Sequence, residues 1–297
     1  FPGQAGIATD EQAEGWRAVA NRVHEEGGTL FMQIMHGGRT SHPDLIDGAN
    51  PEAPSAFDWG GTVRGFAGKM DAPVPRELKT EELPRIVEEF RQGARQAIDA
   101  GVDGVEIHGA NGYLLHEFMA PSANKREDEF GGSPENRWRL PEMVIRAVAE
   151  EIGADRVGVR FSPSHNVQGV IEDDQEDMLA TYGGLLDALA PLDLAYVSLL
   201  HGEPDSELIA TLAQKARANG VTKVLMNDGF PTITSKEDAQ REIELDYVDA
   251  AVVGRQLIAN PDLVRRWREG LELNEPDQDT FYLGGERGYI DYEYAAD

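Results

Sequence analysis

Six short runs of apolar and β-branched residues punctuate the chain, at 29–36, 102–108, 156–162, 194–200, 223–227 and 248–254. Near-continuous apolar runs of this length suit strands buried on both faces, as in parallel sheets. Helical patterns lie between them. Leu83, Ile86, Val87, Phe90, Ala94, Ala97 and Ile98 recur at helical spacing, with Thr80 as the expected N-cap, acids in the first turn and Gly101 past the end. Thr9 and Gln12 have capping-box spacing ahead of Trp16, Val19, Ala20 and Val23, and Ser133-Pro134-Glu135 marks a second start. Further helical patterns cover 174–190, 205–219, 234–244 and 261–270.

Strand and helix alternate strictly, which predicts an α/β fold on a parallel sheet, either a closed barrel or an open doubly wound sheet. No GxGxxG follows the first run, and this weakens the open dinucleotide-binding version. A (β/α)8 TIM barrel needs eight strands and the pattern supplies six of them. That reading expects the first strand, first helix and second strand outside this chain, either as a separate chain or as residues absent from a sequence that opens Phe1-Pro2-Gly3. Residues 1–297 then form one barrel domain. Two stretches lack periodicity, 37–79 with its five prolines and 110–132. Both follow the C-terminal end of a strand, where barrel enzymes build their sites. The first is expected to be a lid or binding loop, with a disordered insertion as the competing reading.

Composition narrows the partners. Acidic residues number 54 against 27 basic, a formal charge of -27, and only six of the basic residues are Lys. Such a surface repels nucleic-acid backbones and anionic lipid. Without cysteine there are no disulfides, no Cys metal sites and no thiol catalysis. No apolar stretch approaches the length of a membrane-spanning helix, and no signal peptide opens the chain, so a cytoplasmic protein is expected.

The chemistry concentrates at His108-Gly109-Ala110-Asn111-Gly112-Tyr113. A strand ends at His108, and small residues then let the chain turn sharply. The imidazole and carboxamide can both donate to one oxygen, which stabilises negative charge on a carbonyl or nitro group. A phenol with an ordinary pKa of about 10 is a competent proton donor beside them. Enolate-forming chemistry needs this combination. A rival reading makes His36, His42, His108 and His116 ligands of a metal-dependent barrel hydrolase, although no HExxH or other metal spacing is present. A second rival is an inactive barrel fragment.

The run from His108 through Tyr113, Leu114, Leu115 and His116, followed by Pro121, Asn124, Arg126, Gly131, Gly132, Ser133, Glu135, Asn136 and Arg137, resembles the signature of the Old Yellow Enzyme family. The resemblance extends from Pro2-Gly3-Gln4 to Gly288-Tyr289-Ile290. It implies an FMN-dependent ene-reductase on a TIM barrel, with NADPH or NADH as reductant and small activated alkenes as substrates. Carried over position by position, it implies that His108 and Asn111 grip the substrate oxygen and that Tyr113 protonates the α-carbon. The likeness further implies that Gln33 and Arg160 hold the flavin ring. Gly229, Gly254 and Arg255 would then cradle its phosphate, and Met35 and Tyr282 line the substrate pocket. A fixed guanidinium beside a flavin stabilises its reduced anion. Two departures stand out: Met35 replaces a tryptophan common in the family, and Asp228 replaces a glycine at the phosphate turn. Either the Asp228 side chain points away or the cofactor binds more weakly.

Overall fold

A computed structural model describes residues 1–229, 233–281 and 285–296. The chain opens with α1 (Asp10–Glu25) and β1 (Phe31–Ile34). Four short strands follow: β2 (Glu52–Ala53), β3 (Thr62–Gly65), β4 (Gly68–Asp71) and β5 (Arg76–Glu77). Next come α2 (Leu83–Asp99), β6 (Gly104–Gly109), α3 (Leu114–Met119), α4 (Pro134–Ile152) and β7 (Val157–Phe161). The remainder alternates as α5 (Gln175–Met178), α6 (Gly184–Leu189), β8 (Tyr196–Leu200), α7 (Glu207–Ala216), β9 (Lys223–Asn227), α8 (Lys236–Ile243), β10 (Ala250–Ala251), α9 (Arg255–Ala259) and α10 (Leu263–Glu269).

The six expected strands form one parallel sheet in the order β1-β6-β7-β8-β9-β10. Among the described residues its two outer strands pair on one side only. Register separates the two faces. Met32, Ile34, Val105, Ile107, Val157, Val159, Val197, Leu199, Val224 and Met226 point to the helical layer and are buried there. The opposite face carries Phe31, Gln33, Glu106, His108, Arg160, Tyr196 and Ser198. The strands are therefore not apolar throughout: one face is core and the other is chemistry. The expected strand at 248–254 shrinks to Ala250–Ala251, flanked by two further hydrogen bonds to β9, from the Asp249 N–H to the Val224 carbonyl and from the Val252 N–H to the Met226 carbonyl.

Several local signals act as read. Thr9 and Gln12 close a capping box on α1, and the Ser133 hydroxyl accepts the Asn136 N–H with Pro134 at the first helical position. Thr80 is a correction. It lies inside a 3-10 turn ahead of α2, and its hydroxyl donates to Asp128 at 2.5 Å instead of capping. A tertiary acceptor has taken the hydroxyl that local spacing assigned to the helix. The 174–190 pattern is helical but broken by a π-turn at Leu179–Gly183.

Both unperiodic stretches are structured. Residues 37–79 hold two 3-10 turns, the β2–β5 pair and a β3–β4 hairpin, with Ala53, Val63 and Leu78 buried. In 110–132 the helix α3 was illegible because all six of its residues, His116 and Glu117 included, are buried. A helix enclosed on every side has no polar stripe to reveal its period.

Candidate active site

Strand β6 delivers His108 at its C-terminal end, 3% exposed. The chain then makes a left-handed turn, with φ of 57° at Asn111 and 78° at Gly112. Glycine is required at the second position. A Cβ there would stand 2.8 Å from the Gln168 Cβ and 2.9 Å from the Val167 carbonyl oxygen. Three bonds hold the turn. The Asn111 N–H donates to the Ser162 hydroxyl at 2.8 Å, the Gln168 amide donates to the Asn111 carbonyl at 2.7 Å, and the Gly112 N–H donates to His116 Nδ1 at 2.9 Å. Tyr113 follows at the head of α3, its ring centroid 5.0 Å from that of His108.

Gln33, Met35, His108, Asn111 and Tyr113 line one cavity of about 670 Å³, together with Val167, Gln168, Phe281 and Tyr289. An adjoining space of about 530 Å³ shares Met35, Tyr113 and Gln168 and runs beneath the β3–β4 hairpin. Burial, and then the nearby Arg160 and His116, push the His108 imidazole down to about 3, so it is neutral near pH 7. His108 Nδ1 and Asn111 Oδ1 are buried without a hydrogen-bond partner among the described residues. Buried polar atoms left unbonded are costly unless a ligand engages the groups that carry them.

Arg160 sits beside His108 in register on β7. Burial lowers its pKa, with Glu106 acting in the opposite direction. Its guanidinium donates to the Ser198 hydroxyl at 3.2 Å, and no carboxylate is within ion-pair distance among the described residues. Gln33 donates to Glu106 at 2.5 Å, which fixes its amide at the cavity wall.

The late loops leave the same C-terminal end of the parallel sheet as the turn after β6, toward its opposite edge, and are not among the residues that line this cavity. Gly229 has φ of 98°, and the Asn227 amide donates to the Val252 carbonyl at 2.9 Å, tying the turns after β9 and β10 together. Gly254 is exposed with open space where a Cβ would stand, and Arg255 begins α9. The Asp228 carboxylate accepts the Thr234 hydroxyl at 2.8 Å, so one of its oxygens is engaged within its own loop. Tyr282 lies outside the described residues, as do Phe230 and Gly284 of the neighbouring motifs.

Sequence reasoning missed the layer beneath the turn. His116 Nε2 lies 3.2 Å from Glu172, off the line of a straight hydrogen bond. The Tyr182 phenol donates to the same carboxylate at 2.9 Å, and burial raises that phenol's pKa well above the ordinary value. Nearby, burial lifts the enclosed Glu117 to about 8 against the pull of Arg39. Arg39 packs over the rings of Phe57 and Trp59. His36 accepts from the Gly38 N–H and faces Glu52, while His42 accepts from the Asp44 N–H. The four histidines thus serve separate neighbours, and among the described residues no group of three or more His, Cys, Asp or Glu is placed to hold a metal. No helix among them is long and apolar enough to cross a membrane.

A neutral imidazole and an amide converging on one oxygen beside a phenol suit barrel enzymes that form and protonate enolates. The comparisons with known proteins agree. Residues 1–274 match the NADH:flavin oxidoreductase / NADH oxidase family. A flavin oxidoreductase of Emericella nidulans is 38% identical over 99% of this chain and 80% of its own length. A probable flavin mononucleotide-dependent alkene reductase of Leishmania infantum is 39% identical over 99% of this chain and 80% of its own. Among solved structures, morphinone reductase superposes with a TM-score of 0.87 at 38% identity, covering 98% of this chain and 78% of that one. An old yellow enzyme homologue from Zymomonas mobilis gives 0.87 at 35% identity, covering 97% and 80%. The chain belongs to the NADH:flavin oxidoreductase / NADH oxidase family, the Old Yellow Enzyme type of (β/α)8 barrel. Each relative is matched as a single polypeptide, so a separate chain carrying the first strands finds no support.

Proposed function

We propose that the chain is an FMN-dependent ene-reductase that uses NAD(P)H to reduce the C=C bond of α,β-unsaturated carbonyl compounds or nitroalkenes. The observation that carries this is the shared cavity of His108, Asn111 and Tyr113, with its unbonded buried polar atoms and its neutral imidazole. The residues present fit the flavin. Arg160 is a half-buried cation with no ion pair among the described residues, and such a group calls for electron-rich company. Gln33 offers a fixed amide at the same wall, and a cavity of about 670 Å³ is in the range of ligand sites. Gln33 and Arg160 would hold the ring, and Gly229, Gly254 and Arg255 the phosphate. When bound, FMN supplies hydride obtained from the nicotinamide.

The chain's own groups do the rest. His108 and Asn111 fix the substrate oxygen and disperse the charge that builds there. Because His108 stays neutral, it serves as a hydrogen-bond donor without giving up a net proton. Tyr113 delivers a proton to the α-carbon, while Met35 and Tyr282 shape the space around the alkene. The 37–79 segment acts as the wall and roof of the adjoining cavity, through Thr40, Leu45, Ile46 and the hairpin.

Tyr113→Phe tests the assignment. Stopped-flow measurements should show oxidation by a weakly activated enone slowed by about 10²-fold or more. Flavin reduction by NADPH should stay within about 3-fold, since that step needs no proton from the phenol. Equal slowing of both half-reactions would remove Tyr113 from the role.

A further inference from the structure

The inner face of the sheet carries a row of residues one layer below His108 and Arg160. Register places Gln33 beside Glu106, Glu106 beside Gly158, and Gly158 beside Tyr196. Among the described residues Glu106 is the one acid on this face of β1 and β6 to β9. Gly158 leaves the space that joins the row, since a Cβ there would stand inside the Tyr196 ring. The phenol thus faces Glu106 across the glycine. Burial, and then this acid, raise its pKa, so it remains a donor.

Two donors therefore converge on the Glu106 carboxylate, the Tyr196 hydroxyl and the Gln33 amide, the latter at 2.5 Å. A carboxylate only accepts, so Gln33 must turn its NH2 group to the neighbouring strand. Its Oε1 makes no hydrogen bond among the described residues, and Gln33 is an exposed side chain lining the cavity of His108 and Asn111. The free end of the amide is thereby an acceptor, and the ligand edge that suits it carries an N–H. The pyrimidine edge of a flavin has one such donor, set between two carbonyls. In the row above, burial opposes the charge on Arg160 and Glu106 supports it.

We propose that Glu106 is a positioning residue: it fixes the direction of the Gln33 amide so that an oxygen, and not an NH2 group, meets the N–H on the edge of the flavin ring. The inference rests on the reading that Gln33 holds that ring, and it adds what decides the amide's direction. Exchanging the two side chains preserves the arrangement. With Gln33→Glu and Glu106→Gln together, the amide at position 106 donates to the carboxylate at position 33, whose second oxygen still accepts from the ring.

FMN dissociation constants are read by fluorescence titration of the full-length apoprotein, and flavin reduction potentials by spectroscopic titration of the holoprotein. The set comprises the native chain, Glu106→Met, Gln33→Met, both together, Gln33→Glu, and the exchanged pair. Glu106→Met keeps the side chain's length and removes its acceptor, so FMN should bind roughly 5- to 20-fold more weakly. In the Gln33→Met background the same change should weaken binding by no more than about 2-fold, because Glu106 acts through the amide. Gln33→Glu alone sets two carboxylates against each other and should weaken FMN about 10-fold or more. The exchanged pair should recover to within about 3-fold of native. Potentials should separate by sign. Glu106→Met removes a negative charge near the ring and raises the potential, whereas the exchanged pair brings one to the ring edge and lowers it. The proposal is overturned by unchanged binding in Glu106→Met, by equal weakening with and without Gln33, or by potentials that move the same way. An exchanged pair as weak as Gln33→Glu also overturns it, and that comparison stands even where Glu106→Met fails to fold. A native chain that takes up no FMN would instead overturn the ene-reductase reading itself.

Discussion

His116 accepts the Gly112 N–H at Nδ1, so its ring proton must reside on Nε2, facing Glu172. The imidazole thereby supports, from below, the turn that aims Asn111 and Tyr113. His116→Leu removes that acceptor and should slow enone reduction about 10-fold or more, with flavin reduction little changed. His116→Asn, whose oxygen can occupy the Nδ1 position, should recover most of it, and equal slowing in both variants would refute the support role. His108 has a pH signature of its own. Its depressed pKa means the unfolded chain takes up a proton below about 6.5 that the folded chain refuses until about 3. Stability is therefore fully present above that window and lost as pH falls, by up to about 1.4 kcal/mol per unit. In urea unfolding His108→Gln should show a shallower acid slope than the native chain; parallel slopes would contradict the burial argument. Glu117 has the opposite sign, losing stability as pH rises from 4.5 towards about 8. His108, Asn111 and Tyr113 were legible because one turn of six residues carries them. His116 and Glu172 were not, since their pairing depends on a loop far along the chain.

Elements were read best where pattern and packing coincide. Strand 223–227 was read in full, and Ser133 caps α4 as its spacing predicts. Ser133→Ala should cost about 1 kcal/mol, measurable as a lowered melting temperature without loss of flavin binding. Thr80 and α3 were misread for a common reason: tertiary partners, Asp128 in one case and complete enclosure in the other, override local rules. The turn after β6 invites a sharper trial. Gly112→Ala meets Gln168 and Val167 at a left-handed φ, and strain of about 1–3 kcal/mol follows. Enone turnover should drop steeply, whereas FMN affinity, which we propose depends on Gly229, Gly254 and Arg255 in the late loops, should hold. A matching loss of both would tie those loops to the turn.

Across the whole molecule, alternation announced a parallel β/α sheet, and the comparisons identify its barrel. Closure was not legible because it depends on strands that the pattern does not contain. Of the polar inner face, Gln33 and Arg160 were picked out only through the family resemblance, and Glu106 was not, because each is a single residue set within an apolar run. Charge dominates at this scale. Many Arg–carboxylate pairs are local and exposed, and each contributes little. Self-repulsion of a net charge of -27 is summed over the entire surface. Raising salt from about 0.1 M to about 1 M shortens the screening length from about 10 Å to about 3 Å, so melting temperature should rise. A fall would mean that the pairs outweigh the net charge.

The φ of 57° at Asn111 restricts which residues evolution can place there. Side chains that tolerate such a backbone are few: glycine, asparagine, aspartate and histidine. Glycine brings no donor, and aspartate would confront an oxyanion with its own negative charge. Inheritance at this position is thus written in a vocabulary of two words, asparagine and histidine, and drift towards any other amide or hydroxyl is blocked by the main chain before chemistry has a say.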